Sequence, residues 1–136
     1  RYNLTILIVK DVNMSKKKIE QSVYRHATEL LEEKGFISPV DLLVKMERLT
    51  HKQVEDWRLK RIPYLERVIV GNLGKLNHAL HMLKRFAMEH NLKASITVYN
   101  SWGKGPKKKL RFSKTGNSHM EELYSTHYVE SNSKKI

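Results

Sequence analysis

Ser38-Pro39-Val40-Asp41-Leu42-Leu43-Val44-Lys45-Met46-Glu47-Arg48-Leu49-Thr50-His51-Lys52-Gln53-Val54-Glu55-Asp56-Trp57 is the stretch that decides how this chain is read. Two short helices are written into it, separated by a turn. Ser38 is a helix cap, and Pro39 suits the first helical position because it has no N–H to leave unpaired. Asp41 complements the positive end of the helix dipole. Leu42, Leu43 and Met46 supply an apolar face at helical spacing. Thr50 caps the second helix, and Gln53 completes a capping box in which each residue satisfies the other's backbone N–H. Val54 and Trp57 are its inward anchors, and Leu49 plugs the turn. Two helices locked this way outline a helix-turn-helix unit over residues 38–61.

The flanking sequence places this unit in a larger body. Residues 2–9 are mostly apolar and β-branched, which predicts a strand. Ser15 caps a helix running to Lys34, with Ile19, Val23, Ala27, Leu30 and Leu31 on one stripe and Gly35 as its C-cap. Pro63 opens another short helix, with Leu65, Val68 and Ile69 facing inward. Gly71 and Gly74 loosen the chain before a longer helix over 73–90. Its stripe is Leu76, Leu80, Leu83 and Ala87, supplemented by Leu73 and Met88. Residues 95–99 read as a strand, 100–106 as a turn and 108–113 as the returning strand of a basic β-hairpin. Residues 120–128 form a final short helix or strand, and 129–136 a flexible tail. The expected fold class is α+β: a mainly helical body with the helix-turn-helix unit plus a small antiparallel sheet or hairpin, in a single domain over 1–128.

Composition narrows the function. A chain of 136 residues with 40% hydrophobic content can bury a core of its own. The absence of cysteine excludes disulfide scaffolds, cysteine nucleophiles and thiolate zinc sites. The apolar run Ile6-Leu7-Ile8-Val9 is far too short to span a bilayer, and no signal-peptide pattern is present. The expected location is intracellular, cytoplasmic or nucleoid-associated. The formal charge is +12, unevenly spread: residues 1–68 hold 14 Lys/Arg and 10 Asp/Glu, residues 69–136 hold 12 and 4. A field of this sign attracts polyanions and speeds their encounter, although it suits an acidic protein or an anionic membrane equally.

Over residues 38–69 the sequence resembles phage-repressor-type helix-turn-helix domains. The matching residues are Leu49 in the turn, then Thr50, Val54, Trp57 and the stretch Lys60-Arg61-Ile62-Pro63. The resemblance implies DNA binding, with the second helix in the major groove and His51, Lys52, Gln53 and Arg58 facing outward. Glutamine reads adenine bidentately, while lysine and arginine read guanine or grip phosphate; Lys60 and Arg61 would meet the backbone. The chain departs from the pattern at Glu47-Arg48, which stand where a turn glycine is usual and lengthen the turn by one residue. Glu55 and Asp56, on the second helix, repel phosphate. A two-fold symmetric target would imply a homodimer.

Lys104, Lys107, Lys108, Lys109, Arg111 and Lys114 fall within eleven residues, and no acidic residue occurs between Glu89 and Glu121. Strand alternation sets Leu110 and Phe112 on one face, and Lys109 and Arg111 on the other. Such a hairpin is a wing that grips phosphates, or, in the plainer reading, an edge strand guarded by lysines. Tyr99 and Trp102 add the option of stacking on unpaired bases, which favours RNA or single strands.

Other signals are weaker. His78 and His81 share a helix face without a third ligand nearby, and are read as solvent-facing. His119, Glu121, Glu122, His127 and Tyr128, with Lys109 and Arg111, offer acid–base groups for metal-independent RNA cleavage. Gly103-Lys104-Gly105 lacks the spacing of a phosphate-binding loop, and no cofactor or metal is expected. The residues point to a nucleic-acid-binding protein, with DNA favoured over RNA. An RNA-binding or RNA-cleaving protein and a helical protein-interaction module remain the alternatives.

Overall fold

A computed structural model describes residues 15–131. The strand expected over 2–9 lies outside them. The described chain is α+β: helices α1 (Lys16–Lys34), α2 (Pro39–Lys45), α3 (His51–Arg58), α4 (Leu73–Glu89) and α5 (Ser118–Ser125), with strands β1 (Phe36–Ile37), β2 (Lys93–Ile96) and β3 (Thr126–Val129). A 3-10 turn at Leu65–Val68 stands where a short helix was expected after Pro63, and of its apolar residues only Leu65 is fully buried.

Local sequence sets most helix ends. The Ser15 hydroxyl accepts from Lys18 N–H, and Gly35, at φ 78°, closes α1 by donating its N–H to the Leu31 carbonyl. Ser38 caps α2 by accepting from Asp41 N–H at 3.0 Å. Asn72 caps α4 by accepting from Lys75 N–H at 2.8 Å. Three helices end on a non-glycine residue in the left-handed region: Glu47 (φ 62°) after α2, Lys60 (φ 65°) after α3 and Asn91 (φ 54°) after α4. Each is followed by a residue whose N–H reaches back five positions: Arg48 to Leu43, Arg61 to Asp56 and Leu92 to Ala87. These are Schellman closures, whose paired hydrogen bonds offset the steric cost of the left-handed residue.

The core has two parts joined by α2. One lies between α1 and α4, where Ile19, Val23, Ala27 and Leu30 meet Ala79, Leu83, Phe86 and Ala87. Glu20 pairs with Arg85 at 3.0 Å and the Tyr24 hydroxyl donates to Glu89 at 2.7 Å, so the two helices pair in the same order along their lengths. The other part gathers around Trp57 and takes in Val40, Leu43, Leu49, Leu65, Leu80, Tyr99, Phe112 and Tyr124. Leu42 of α2 enters the first part, while Val40 and Leu43 enter the second.

The sheet is antiparallel in the order β1-β3-β2. Tyr128 of the central strand lies between Ile37 and Ala94, and His127 opposite Ser95. The expected pairing of residues 95–99 with 108–113 holds only at its inner end, where Leu110 N–H donates to the Tyr99 carbonyl at 2.8 Å; β2 runs from Lys93 to Ile96 and pairs with β3. Residues 97–113 form a loop closed by one bridge, Asn100 with Lys109. Burial explains the difference. Tyr99, Leu110 and Phe112 sink into the Trp57 cluster and draw the segment away from the sheet. Residues 118–129 are helix and then strand, not one of the two. The flexible tail expected from residue 129 is corrected at its start, where Val129 pairs with Phe36 and Glu130 N–H donates to the Gly35 carbonyl at 3.0 Å; its remainder from residue 132 lies outside the described residues.

Two expected stripe residues of α4 are outside the core: Leu73 is 60% exposed and Met88 71%. Leu73 stands one turn before the first buried residue, Leu76, and Met88 is turned about 100° from Ala87. Leu80→Ala should therefore cost about 2–5 kcal/mol of unfolding free energy, whereas Leu73→Ala should stay within about 0.5 kcal/mol. Equal shifts of the two in urea denaturation would refute this packing of α4.

Candidate nucleic-acid interface

The helix pair forms as its caps dictate, but its polar side chains are differently engaged. Thr50 N–H donates to Gln53 Oε1 at 3.0 Å, and Gln53 N–H donates to Thr50 Oγ1 at 3.1 Å. The capping box thus occupies the carboxamide oxygen that bidentate reading of adenine requires. Gln53, expected as a base reader, acts in this structure as a helix cap. His51 and Lys52, in the first turn, are exposed.

The acidic residues of α3 are neutralised from within. Asp56 Oδ1 lies 3.0 Å from both Lys52 Nζ and Arg61 Nη1. Hydrogen bonds from Lys52 and then Arg61 hold the Asp56 carboxyl below its ordinary pKa. Lys52 and Arg61 remain at the surface, each already satisfying a carboxylate.

Arg58, expected to face a phosphate, is engaged within the protein. Its Nη1 donates to the Asn100 carbonyl at 2.7 Å, and its guanidinium lies 4.7 Å from the Tyr99 ring centre and 5.1 Å from that of Trp102. Trp102 N–H returns a 2.7 Å bond to the Arg58 carbonyl. Arg58 therefore fastens α3 to the 97–113 loop instead of reaching for phosphate. Burial pulls its pKa down, yet a guanidinium stays charged at neutral pH. Lys60 is exposed and occupies the left-handed position that closes α3.

The basic loop keeps the expected alternation without being a strand. Leu110 and Phe112 are buried, while Lys109 and Arg111 are exposed. Lys104, Lys107, Lys108 and Lys114 are exposed as well. Among the described residues none of the six cations forms an ion pair with a carboxylate. Lys107 Nζ donates to the Gly103 carbonyl at 2.8 Å, and Arg111 Nε to the Ser113 carbonyl at 2.9 Å.

The backbone beneath these cations is firmly held. Trp57 Nε1 donates to the Arg111 carbonyl at 2.9 Å, and Glu66 N–H donates to the Phe112 carbonyl at 2.8 Å. The Glu121 carboxylate accepts from Phe112 N–H (3.0 Å), Ser113 N–H (2.7 Å) and the Ser113 hydroxyl (2.6 Å). Glu66 accepts from Lys114 N–H at 3.0 Å and from the Tyr124 hydroxyl at 2.8 Å. Burial, reinforced by that hydrogen bond, raises the Tyr124 pKa far above its usual value. Sequence reasoning missed Glu66 and Glu121 as loop anchors, since no local pattern links them to partners so far along the chain.

His51, Lys52 and Trp102 share an open cleft of about 460 Å³ floored by Val40, Val44 and Val54. Lys109 lines a different groove, between residues 96–99 and the start of α5. The groups considered for acid–base chemistry do not form one constellation. His119, Glu122 and Tyr128 line a pocket of about 200 Å³ with Lys84, whereas Glu121 holds the loop. His127 stacks on Phe36 at 5.7 Å with its Nε2 2.7 Å from the Tyr99 hydroxyl. His81 Nδ1 lies 2.8 Å from the Asn77 carbonyl, and no group of three or more metal-binding side chains occurs among the described residues.

Burial lowers the His127 pKa from its usual 6.5. Because the folded value lies below the unfolded one, the stability His127 contributes is complete above 6.5 and is lost as pH falls through the folded value. Histidine titration followed by NMR should place His127 below 6.5, and Phe36→Ala, which uncovers the ring, should raise it toward that value. A wild-type His127 titrating above 6.5 would contradict the buried placement.

No family model, curated protein or solved structure matches this chain, so the reading of the site rests on its own residues.

Proposed function

We propose that this protein binds nucleic acid, with the exposed cations of residues 104–114 against the phosphates and His51 and Lys52 on the adjoining surface of α3. The observation that carries this reading is the loop itself. Six cations occupy eleven residues without a carboxylate partner among the described residues, on a backbone fixed by Trp57, Glu66 and Glu121. Cations kept apart from acids repel one another, a cost that an incoming polyanion relieves. A backbone already ordered loses little entropy when phosphates arrive.

Phosphate contact gives affinity without reading sequence. With Gln53 and Arg58 engaged inside the protein, little of α3 remains for base reading, and His51 and Lys52 carry what there is. This weighs against the duplex-reading role expected of a second helix and leaves the loop as the main contact.

The test is a binding titration against duplex DNA, single-stranded DNA and RNA at two salt concentrations. Lys108→Ala and Lys109→Ala should each weaken every nucleic acid bound and reduce the slope of log K against log salt by about 0.7–0.9. Absence of binding to all three, or binding with no salt dependence, would overturn the proposal.

A further inference from the structure

We infer that the cleft between α2, α3 and Trp102 receives one unpaired nucleobase of a single-stranded nucleic acid. The inference rests on the nucleic-acid reading above and gives the surface around His51 and Lys52 a specific ligand.

Trp102 is the central observation. It is 49% exposed, yet it is held in place. Its backbone N–H donates to the Arg58 carbonyl at 2.7 Å, and its indole lies against the Arg58 guanidinium at 5.1 Å. That guanidinium is itself fixed by Tyr99 and by the Asn100 carbonyl. A large aromatic surface left in water gains nothing from its exposure. Here the cation beneath fixes the indole, and the indole borders the cleft. A planar base stacked there would meet a platform whose ordering cost has already been met.

The rest of the cleft selects a base over a phosphate. Its floor is apolar, from Val40, Val44 and Val54, and its rim carries Asp41 and Glu55 as well as His51 and Lys52. Asp41 is held by Lys34 at 2.9 Å, which leaves Glu55 as the rim carboxylate that opposes entry of a phosphate and accepts hydrogen bonds from the amino and imino N–H groups of a base edge. Lys52 and His51 offer donors to a base carbonyl. The volume of about 460 Å³ falls in the range of small-molecule sites, roughly 300–1,000 Å³. The phosphates next to such a base need cations outside the cleft. Lys104 stands two residues from Trp102, and Lys107, Lys108 and Lys109 follow on the same loop.

A base in a duplex is stacked on its neighbours and cannot lie on the indole without leaving the helix. The cleft therefore favours single strands and unpaired nucleotides. It also separates two contributions: the loop cations act on every polyanion, while Trp102 acts on unpaired bases alone.

The chain has two tryptophans, and Trp57 is 0% exposed, so a change of emission on adding ligand reports Trp102. The probes are a short single-stranded oligodeoxynucleotide of mixed sequence and the same strand annealed to its complement. The single strand is expected to quench the emission. Trp102→Ala is expected to lower the ratio of single-strand to duplex affinity by roughly five- to a hundred-fold, with the salt slope retained. Trp102→Phe, which keeps an aromatic face, should restore most of that ratio and controls for misfolding. Single-strand binding with unchanged emission, or a Trp102→Ala loss that is equal for both probes, would overturn the base-receiving cleft and leave the nucleic-acid reading standing. Binding of neither probe, with RNA of the same sequence also unbound, would overturn both.

Discussion

The Trp57 indole is the interaction on which the rest of this structure depends. It is fully buried, its ring lies 4.9 Å from Phe112 and 5.5 Å from Tyr99, and its N–H ends on the Arg111 carbonyl. One side chain near the end of α3 thereby fixes both limbs of a loop that begins some forty residues later. A buried tryptophan needs a partner for its N–H, because an unpaired donor in an apolar interior costs about 1–3 kcal/mol. The Arg111 carbonyl meets that need, and this ties the direction of the loop to the orientation of α3. Phe112 stacks in turn on Tyr124 at 5.3 Å, which extends the same aromatic cluster to α5. The helix pair is thus less an independent reading head than one wall of a body whose other wall is the basic loop.

Two carboxylates complete the fastening. Glu66 and Glu121 direct their charge to the backbone N–H groups of residues 112–114 and to the hydroxyls of Ser113 and Tyr124, not to the lysine side chains of the loop. Charge-assisted hydrogen bonds of this kind are among the stronger ones available to a protein. The consequence is geometric: the acids grip the loop backbone, and the cations stay exposed without a carboxylate partner among the described residues. Had the same carboxylates paired with Lys108 and Lys109, the net charge would be the same, but two of the six cations would be engaged by acids.

The sequence makes plain whatever is decided within a few residues. Ser15, Gly35, Ser38 and the Thr50–Gln53 box each act over one helical turn, and each forms as its spacing dictates. The alternation of buried Leu110 and Phe112 with exposed Lys109 and Arg111 is legible for the same reason. The partner of β2 is not, because the choice between β3 and residues 108–113 depends on whether Tyr99 and Phe112 are worth more in a sheet or around Trp57. The left-handed residues Glu47 and Lys60 are equally hidden, since their strain is compensated by hydrogen bonds that exist only once the helix has ended. At the candidate site, the exposed cations could be read from the sequence, but the engagement of Gln53 and Arg58 could not. An outward-facing polar residue and one bonded to its own protein look alike in a sequence.

The distribution of charge follows from these contacts. On α3 and just beyond it, Lys52, Asp56 and Arg61 form a closed set in which one carboxylate serves two cations, and Glu55 lies 3.9 Å from Lys52. Exposed pairs of this sort add little to stability, about 0–1 kcal/mol each, but they cancel much of the helix's own field. On the loop no such cancellation occurs among the described residues. Salt screens surface charges over about 8–10 Å, so a ligand senses the nearest cluster and not the net charge of the chain. On the function proposed above, the basic loop is therefore where a polyanion would first be held, and α3 would act on whatever the loop had brought close.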